Sequence, residues 1–228
     1  MMDVNKVFCQ FFDKTVLTGF KESSDIWRIH EESSSAFVKD LEVKKSGAIF
    51  KGFDQLLTKS MDSLTTKRSS TFKDKECDGV AFVKISAEER LLFVELKSKY
   101  DTSRISCALE QMCCSFLKMH SMLSLCKGYS LYSLPIDFCA VTLCCRDDDE
   151  HAKVNMFISQ ALMSDEQKDI GSFFDNLFSK GYVNITFNRL FKILNIDLPL
   201  HDDIMNKDIK VYLTTTPSCT ENKAVFSY

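Results

Sequence analysis

The chain has 228 residues, with 29 Lys plus Arg against 32 Asp plus Glu and a formal net charge of −3. That length supports one sizeable core and does not demand two domains. The charge balance excludes a protein whose whole surface is a basic footprint for nucleic acid, while leaving room for a local basic patch beside a cleft.

Phe is abundant at 19 residues, whereas Gly and Pro number only 7 and 3, so well-packed elements are expected rather than long flexible linkers. There are ten cysteines but no C-x-x-C, and the adjacent pairs Cys113-Cys114 and Cys144-Cys145 are poorly spaced for zinc. They are expected to be small buried hydrophobes in a reducing, cytoplasmic or otherwise intracellular setting. Asp3, Lys6 and Asp13 interrupt the opening, which lacks the apolar core of a secretory leader. No apolar run reaches the roughly 20 residues of a spanning helix, so no membrane role is expected.

In chain order, residues 4–20 carry Val7, Phe8, Phe11, Phe12, Val16, Leu17 and Phe20 at helical spacing. Residues 25–41 are predicted as a second helix, with Ile26, Ile29, Phe37 and Leu41 apolar. Residues 49–64 form a clearer helical stripe through Phe50, Phe53, Leu56, Leu57, Met61 and Leu64. Residues 65–75 are polar and hold Lys67, Arg68, Lys73 and Lys75, a solvated connection or a substrate-contacting flap.

The period then changes. Residues 77–85 and 91–97 are predicted strands of an antiparallel hairpin joined through residues 86–89. Thr102 or Ser103 can cap a helix running to about residue 126, with Gly128 to end it. Residues 138–145 are predicted as a buried third strand. Helices are predicted over 152–163 and 170–178, with Gly181 beyond. Residues 182–187 alternate like a strand or begin a helical stretch to Leu194, and residues 209–214 form a further strand. The expected organisation is one domain over 1–228: a helical layer over 1–65, a core over 66–145 and an elaboration over 146–228.

The chemistry concentrates in Cys77-Asp78-Gly79 and Val94-Glu95-Leu96-Lys97. Side chains alternate on a strand, so Glu95 and Lys97 share one face. Pairing Ile85 with Arg90 across a four-residue loop sets Asp78 opposite Lys97, on the face of Glu95 and one diagonal step from it. A carboxylate among such apolar neighbours needs a partner or a metal. Two carboxylates repel, and Mg²⁺ or Mn²⁺ suits their oxygen ligands. A divalent ion there can polarise a phosphoryl oxygen and acidify water, with Lys97 steadying charge on the phosphate. That set fits phosphodiester hydrolysis. The same residues also suit the plain polar side of an edge strand.

The order Asp78, hairpin, Glu95-x-Lys97, helix, strand resembles the PD-(D/E)xK nuclease superfamily, which includes many restriction endonucleases, over about residues 66–145. The resemblance implies an α/β fold of restriction-endonuclease-like type, a central mixed β-sheet flanked by helices, here with extra N-terminal helices. It implies Asp78 and Glu95 as ligands of Mg²⁺ or Mn²⁺ and Lys97 as the catalytic lysine. It also implies an acid from an early helix, for which Glu31, Glu32 and Glu42 are candidates, Glu42 lying on the more continuous helical segment. Gln111 matches a site-facing Gln of some members. Ser115 stands where a subset has Tyr, and Cys77 where Pro often precedes the Asp.

Lys99 and Arg104 would seat a phosphate if the strand continues and the helix N-terminus points at the site; both also suit a solvated role beside Asp101. No P-loop, dinucleotide fingerprint or G-x-S-x-G elbow is present. The expected partner is nucleic acid, DNA ahead of RNA, with a homodimer or partner subunit to cut both strands of a duplex. The rival expectation is a catalytically inactive nuclease-like subunit whose Phe-rich helices supply a protein–protein contact surface.

Overall fold

The computed structural model describes residues 26–44, 49–50, 75–85, 88–145 and 147–228. The predicted helix over 4–20, most of that over 49–64 and the polar connection up to residue 74 lie outside these.

Nine strands and five helices occur among the described residues. They run β1 Ile26–His30, β2 Asp40–Lys44, β3 Ile49–Phe50, β4 Gly79–Ile85, β5 Glu88–Leu96, α1 Thr102–Leu123, β6 Ile136–Thr142, α2 Asp148–Met163, α3 Lys168–Lys180, β7 Tyr182–Thr186, α4 Phe187–Ile193, α5 Asp202–Met205, β8 Asp208–Thr215 and β9 Lys223–Phe226. A six-stranded mixed sheet has the order β3-β4-β5-β6-β8-β7. β5, β6 and β8 are mutually parallel; β3, β4 and β7 pair antiparallel. A second, three-stranded sheet has the order β1-β2-β9. The protein therefore has a mixed α/β fold whose central mixed sheet is flanked by helices.

Strand alternation splits the core in two. Val80, Phe82, Leu91, Phe93, Phe138 and Val211 pack with α1 and α4 on one face. Ala81, Val83, Leu92, Val94, Cys139 and Val141 face Trp27, Leu41, Val43 and Phe226 of the small sheet on the other. On the helical side Phe93 and Phe138 meet edge-to-face at 5.5 Å between ring centroids, and Phe116 of α1 stacks on Phe187 of α4 at 4.4 Å. Such rings contribute packing beyond area burial, and truncating Phe93 to Ala is expected to cost about 3–5 kcal/mol.

The predicted helix over 25–41 is overturned, and so are the first two residues of the one over 49–64. Residues 26–30 and 40–44 are the antiparallel strands β1 and β2. Trp27 and Ile29 are buried while Ile26, Arg28 and His30 are exposed, a period of two that pairing makes decisive over the i, i+3 spacing of Ile26 and Ile29. Likewise, Ile49–Phe50 is a strand, not a helix start. Elsewhere the expected elements occur with shifted ends. Asp101, not Thr102 or Ser103, caps α1, accepting the Arg104 N–H at 2.7 Å. Residues 182–194 contain both alternatives in succession, β7 and then α4, with Thr186 as the α4 cap. Gly181 closes α3 in the left-handed conformation at φ 76°. No helix among the described residues is long and apolar enough to cross a membrane.

Candidate active site

The hairpin turns more tightly than the sequence register assumed. Ile85 pairs with Glu88, and Gly79 pairs with Val94. Asp78 therefore comes opposite Glu95 rather than Lys97. The slip is two residues, one full strand period, so every side chain keeps its face. Asp78 and Glu95 both lie on the helical side, in phase with Val80 and Phe93.

The two acids interlock through the backbone. The Asp78 N–H donates to Glu95 Oε2 at 3.0 Å, and the Leu96 N–H donates to Asp78 Oδ2 at 2.7 Å. Lys97 follows the last residue of β5, where its own N–H still donates to Val141 O of β6 at 2.7 Å. Its ammonium donates to Glu95 Oε1 and, at 2.5 Å, to Gln111 Oε1 of α1. Gln111 Nε2 in turn donates to Glu76 O at 2.9 Å. Asp78, Glu95, Lys97 and Gln111 thus form one connected group.

α1 supplies the wall. Gln111, Ser115 and Lys118 recur at helical spacing along an otherwise apolar face. Ser115 Oγ accepts the Cys77 N–H at 2.9 Å, and the fully buried Lys118 pairs with Glu76 at 2.8 Å. Lys75 reaches Glu110 at 2.5 Å. Residues 75–78 are strapped to α1 by these contacts, and the strap delivers Asp78. Gln111 and Ser115 were singled out from the sequence; Lys118, a charge on an otherwise apolar helical face, is the signal that was missed.

Gly79 lets the small sheet approach from the other side. A Cβ there would lie 2.9 Å from Ile29 Cδ1 and 3.0 Å from Trp27 Cη2. The chain leaving β1 brings Glu31 against Asp78, where its charge and hydrogen bonding both push the Asp78 carboxyl upward. Of the three acids expected as alternatives, Glu31 is the one brought to the group. Glu32 is exposed. Glu42 is elsewhere: on β2 it is paired with Arg28 at 2.8 Å and Lys223 at 2.7 Å. Its expected helix is a strand, and that strand's neighbours hold its carboxylate. Lys223 and Arg28 accordingly lower its pKa.

Lys99 and Arg104 are exposed. The alternation that was to align Lys99 with Lys97 ends at Leu96. At the α1 N-terminus, the Asp101 carboxylate occupies the Arg104 N–H that was to face a phosphate.

Among the described residues the group is short of positive charge. Burial, then the Asp78 charge, raises Glu95 to about 8, against the lowering influence of Lys97. Burial likewise raises Asp78 to about 6, opposed by the Leu96 N–H and Lys97. Among the described residues Asp78 and Glu95, with Glu31 beside Asp78, are offset by the one ammonium of Lys97. Hard oxygen donors with surplus negative charge suit Mg²⁺ or Mn²⁺. Asp78 and Glu95 would hold it. Among the described residues no three His, Cys, Asp or Glu are arranged to hold one ion together, so other positions would fall to water or substrate oxygens.

Compared with known proteins, the chain matches no family model, no curated protein and no solved structure.

Proposed function

We propose that the protein is a metal-dependent nuclease of the restriction-endonuclease-like kind, hydrolysing phosphodiester bonds with DNA as substrate. One observation carries this reading: a buried carboxylate, Glu95, and a half-buried one, Asp78, face each other across a hairpin, each fixed by the other strand's backbone, with an amine and a carboxamide closing the group. Asp78 and Glu95 hold Mg²⁺ or Mn²⁺, which supplies Lewis acidity toward a phosphate oxygen. Lys97 presents its ammonium to the charge that grows on the phosphate and opposes the upward push on the Glu95 carboxyl. Gln111 anchors that ammonium to α1, and Glu76 O anchors Gln111, so the amine is oriented before substrate arrives. The fold supports the reading coarsely, through its mixed sheet and the hairpin–helix–strand order around the acids.

A second reading, an inactive nuclease-like interaction subunit, is favoured by one fact. Lys97 is already paired with Glu95 and Gln111, an arrangement that is complete without any ion. One experiment separates them. Linear, circular and single-stranded DNA are incubated with Mg²⁺, with Mn²⁺ and with chelator, using wild type and Asp78→Ala. The enzyme reading expects metal-dependent cleavage by wild type alone. Equal activity in both proteins removes Asp78 from the reaction, and no cleavage of any substrate favours the subunit.

A further inference from the structure

A second polar cleft opens at the far end of the same sheet. Asp78 and Glu95 lie near the C-terminal end of β5, whereas this cleft gathers at the N-terminal ends of β5, β6 and β8. Arg90 and Glu95 are five positions apart on β5, roughly 17 Å along the strand. Arg90 also belongs to the opposite face of the sheet, in phase with Leu92 and Val94. The cleft encloses about 460 Å³, within the size range of small-molecule sites.

Its lining combines three cations and one acid, Asp208, with an apolar floor. Arg90, Lys207 and Lys210 face it, and Pro135, Ile136 and Ile209 form the floor. Arg90 is held rigidly: Nε and Nη2 donate to both oxygens of the buried Asp137 at 2.6 and 2.8 Å, and Nη1 donates to Glu88 at 2.5 Å. A guanidinium has five N–H donors, so two remain beyond these three. Lys210 is seated over two rings, with Nζ 4.4 Å from the Tyr182 centroid and 4.7 Å from that of Tyr212. Asn184 stands opposite Lys210 in the β7–β8 ladder and also lines the cleft.

Lys207 is the informative member. Its ammonium donates to the Tyr132 carbonyl at 3.3 Å, a long and neutral contact. Burial pushes its pKa down, outweighing the neighbouring Asp208 charge, and Arg90 adds to the depression. A partly desolvated ammonium whose hydrogen bond goes to a carbonyl gains by meeting an anion. Tyr132, on the rim, is 68 % exposed, with its hydroxyl bound to Asp203, so the ring is fixed and its surface open.

We propose that this cleft binds a phosphate monoester of nucleotide size, with Lys207, Lys210 and the remaining Arg90 donors on the phosphate and Tyr132 beside the base. The phosphate is carried either by a free mononucleotide or by the 5′ end of a nucleic acid. Asn184 adds a neutral donor, and the Ile136 and Ile209 floor accommodates the sugar. The site is independent of the reaction assigned to Asp78 and Glu95, and is tested without it.

The test uses full-length Asp78→Asn protein in chelator, titrated by calorimetry with AMP, adenosine, inorganic phosphate, and one oligonucleotide with either a 5′-phosphate or a 5′-hydroxyl. Saturable AMP binding is expected, with adenosine at least about tenfold weaker. Lys207→Ala and Lys210→Ala should each weaken AMP by a similar factor, with Lys207→Arg restoring it. Preference for the 5′-phosphorylated oligonucleotide identifies a nucleic-acid end as the source; binding of AMP alone identifies a free nucleotide. Equal binding of AMP and adenosine, unchanged affinity in both lysine variants, or no binding of any phosphate overturns the proposal.

Discussion

Two glutamates on neighbouring sheets meet opposite fates. Glu42 on β2 and Glu95 on β5 are both largely removed from solvent. Glu42 sits between two cations, Arg28 from β1 and Lys223 from the start of β9, and its carboxyl is held below the ordinary range. Glu95 shares one lysine with Asp78, which itself faces Glu31, and is pushed up to about 8. The first arrangement closes its own charge and stitches three strands together. Among the described residues the second leaves charge unbalanced, which a purely structural ion pair has no reason to do. The contrast separates a fastening from a site, although both present a buried acid with a basic partner.

The largest expected effect comes from removing the one ammonium that the described residues bring to this group. Lys97→Ala should abolish DNA cleavage, by about a hundredfold or more in initial rate, while the circular dichroism spectrum stays native. Lys97 lies just beyond β5 and is partly exposed, so its loss opens no core cavity. Retention of wild-type rates in this variant would break the comparison outright.

A second effect appears in stability against pH. Asp78 and Glu95 are both raised above the usual carboxylate range near 4, so the native state holds protons that the unfolded chain has already released. For such groups stability is fullest at about pH 4 and declines as pH rises toward 8, the reverse of a salt-bridged acid. Melting temperature without divalent ion should therefore fall across that window, and Glu95→Gln should flatten the fall. Mg²⁺ should raise the melting temperature more at pH 8 than at pH 6, because a cation binds the ionised pair. An identical slope in wild type and Glu95→Gln would remove Glu95 as its source.

Gly79 sharpens the comparison from the packing side. Its missing Cβ lets Trp27 and Ile29 lie against the start of β4, and the same approach brings Glu31 to Asp78. Gly79→Val should cost about 1–3 kcal/mol of stability, read by denaturant unfolding, and weaken Mg²⁺-dependent cleavage as well. A stability loss with cleavage untouched would mean that the small sheet does not support the site.

Much of this was legible in local pattern. The hairpin, α1, β6, α3 and β8 announce themselves by a period of two or of 3.6; Asp78, Glu95 and Lys97 could be named from their places in adjoining predicted strands, and Gln111 from the resemblance to the nuclease superfamily. What local pattern hid was non-local. In β1, Ile26 is apolar yet exposed, which blurred the alternation of Trp27 and Ile29 and suggested a helix. β9 has only four residues, and its burial comes from pairing with β2, about 180 positions earlier in the chain. The register of β4 and β5 rests on the pairing of Ile85 with Glu88, which composition did not specify. The choice among Glu31, Glu32 and Glu42 failed for the same reason, because an assumed helix made the longest continuous segment look like the best support.

The smallest expected effect therefore falls on Glu42, and it is the most discriminating. Glu42→Gln removes the acceptor charge of Arg28 and Lys223, both of which remain largely open to solvent and can be rehydrated. Cleavage and its Mg²⁺ dependence should be unchanged, and melting temperature should fall only slightly. Glu31→Gln changes a residue of the same type but should lower the Asp78 pKa, because the charge that pushes it upward is gone. NMR titration of the Asp78 carboxyl in the two variants reads this directly: a downward shift in Glu31→Gln and none in Glu42→Gln. The opposite outcome would return Glu42 to the site and place Glu31 among the fastenings.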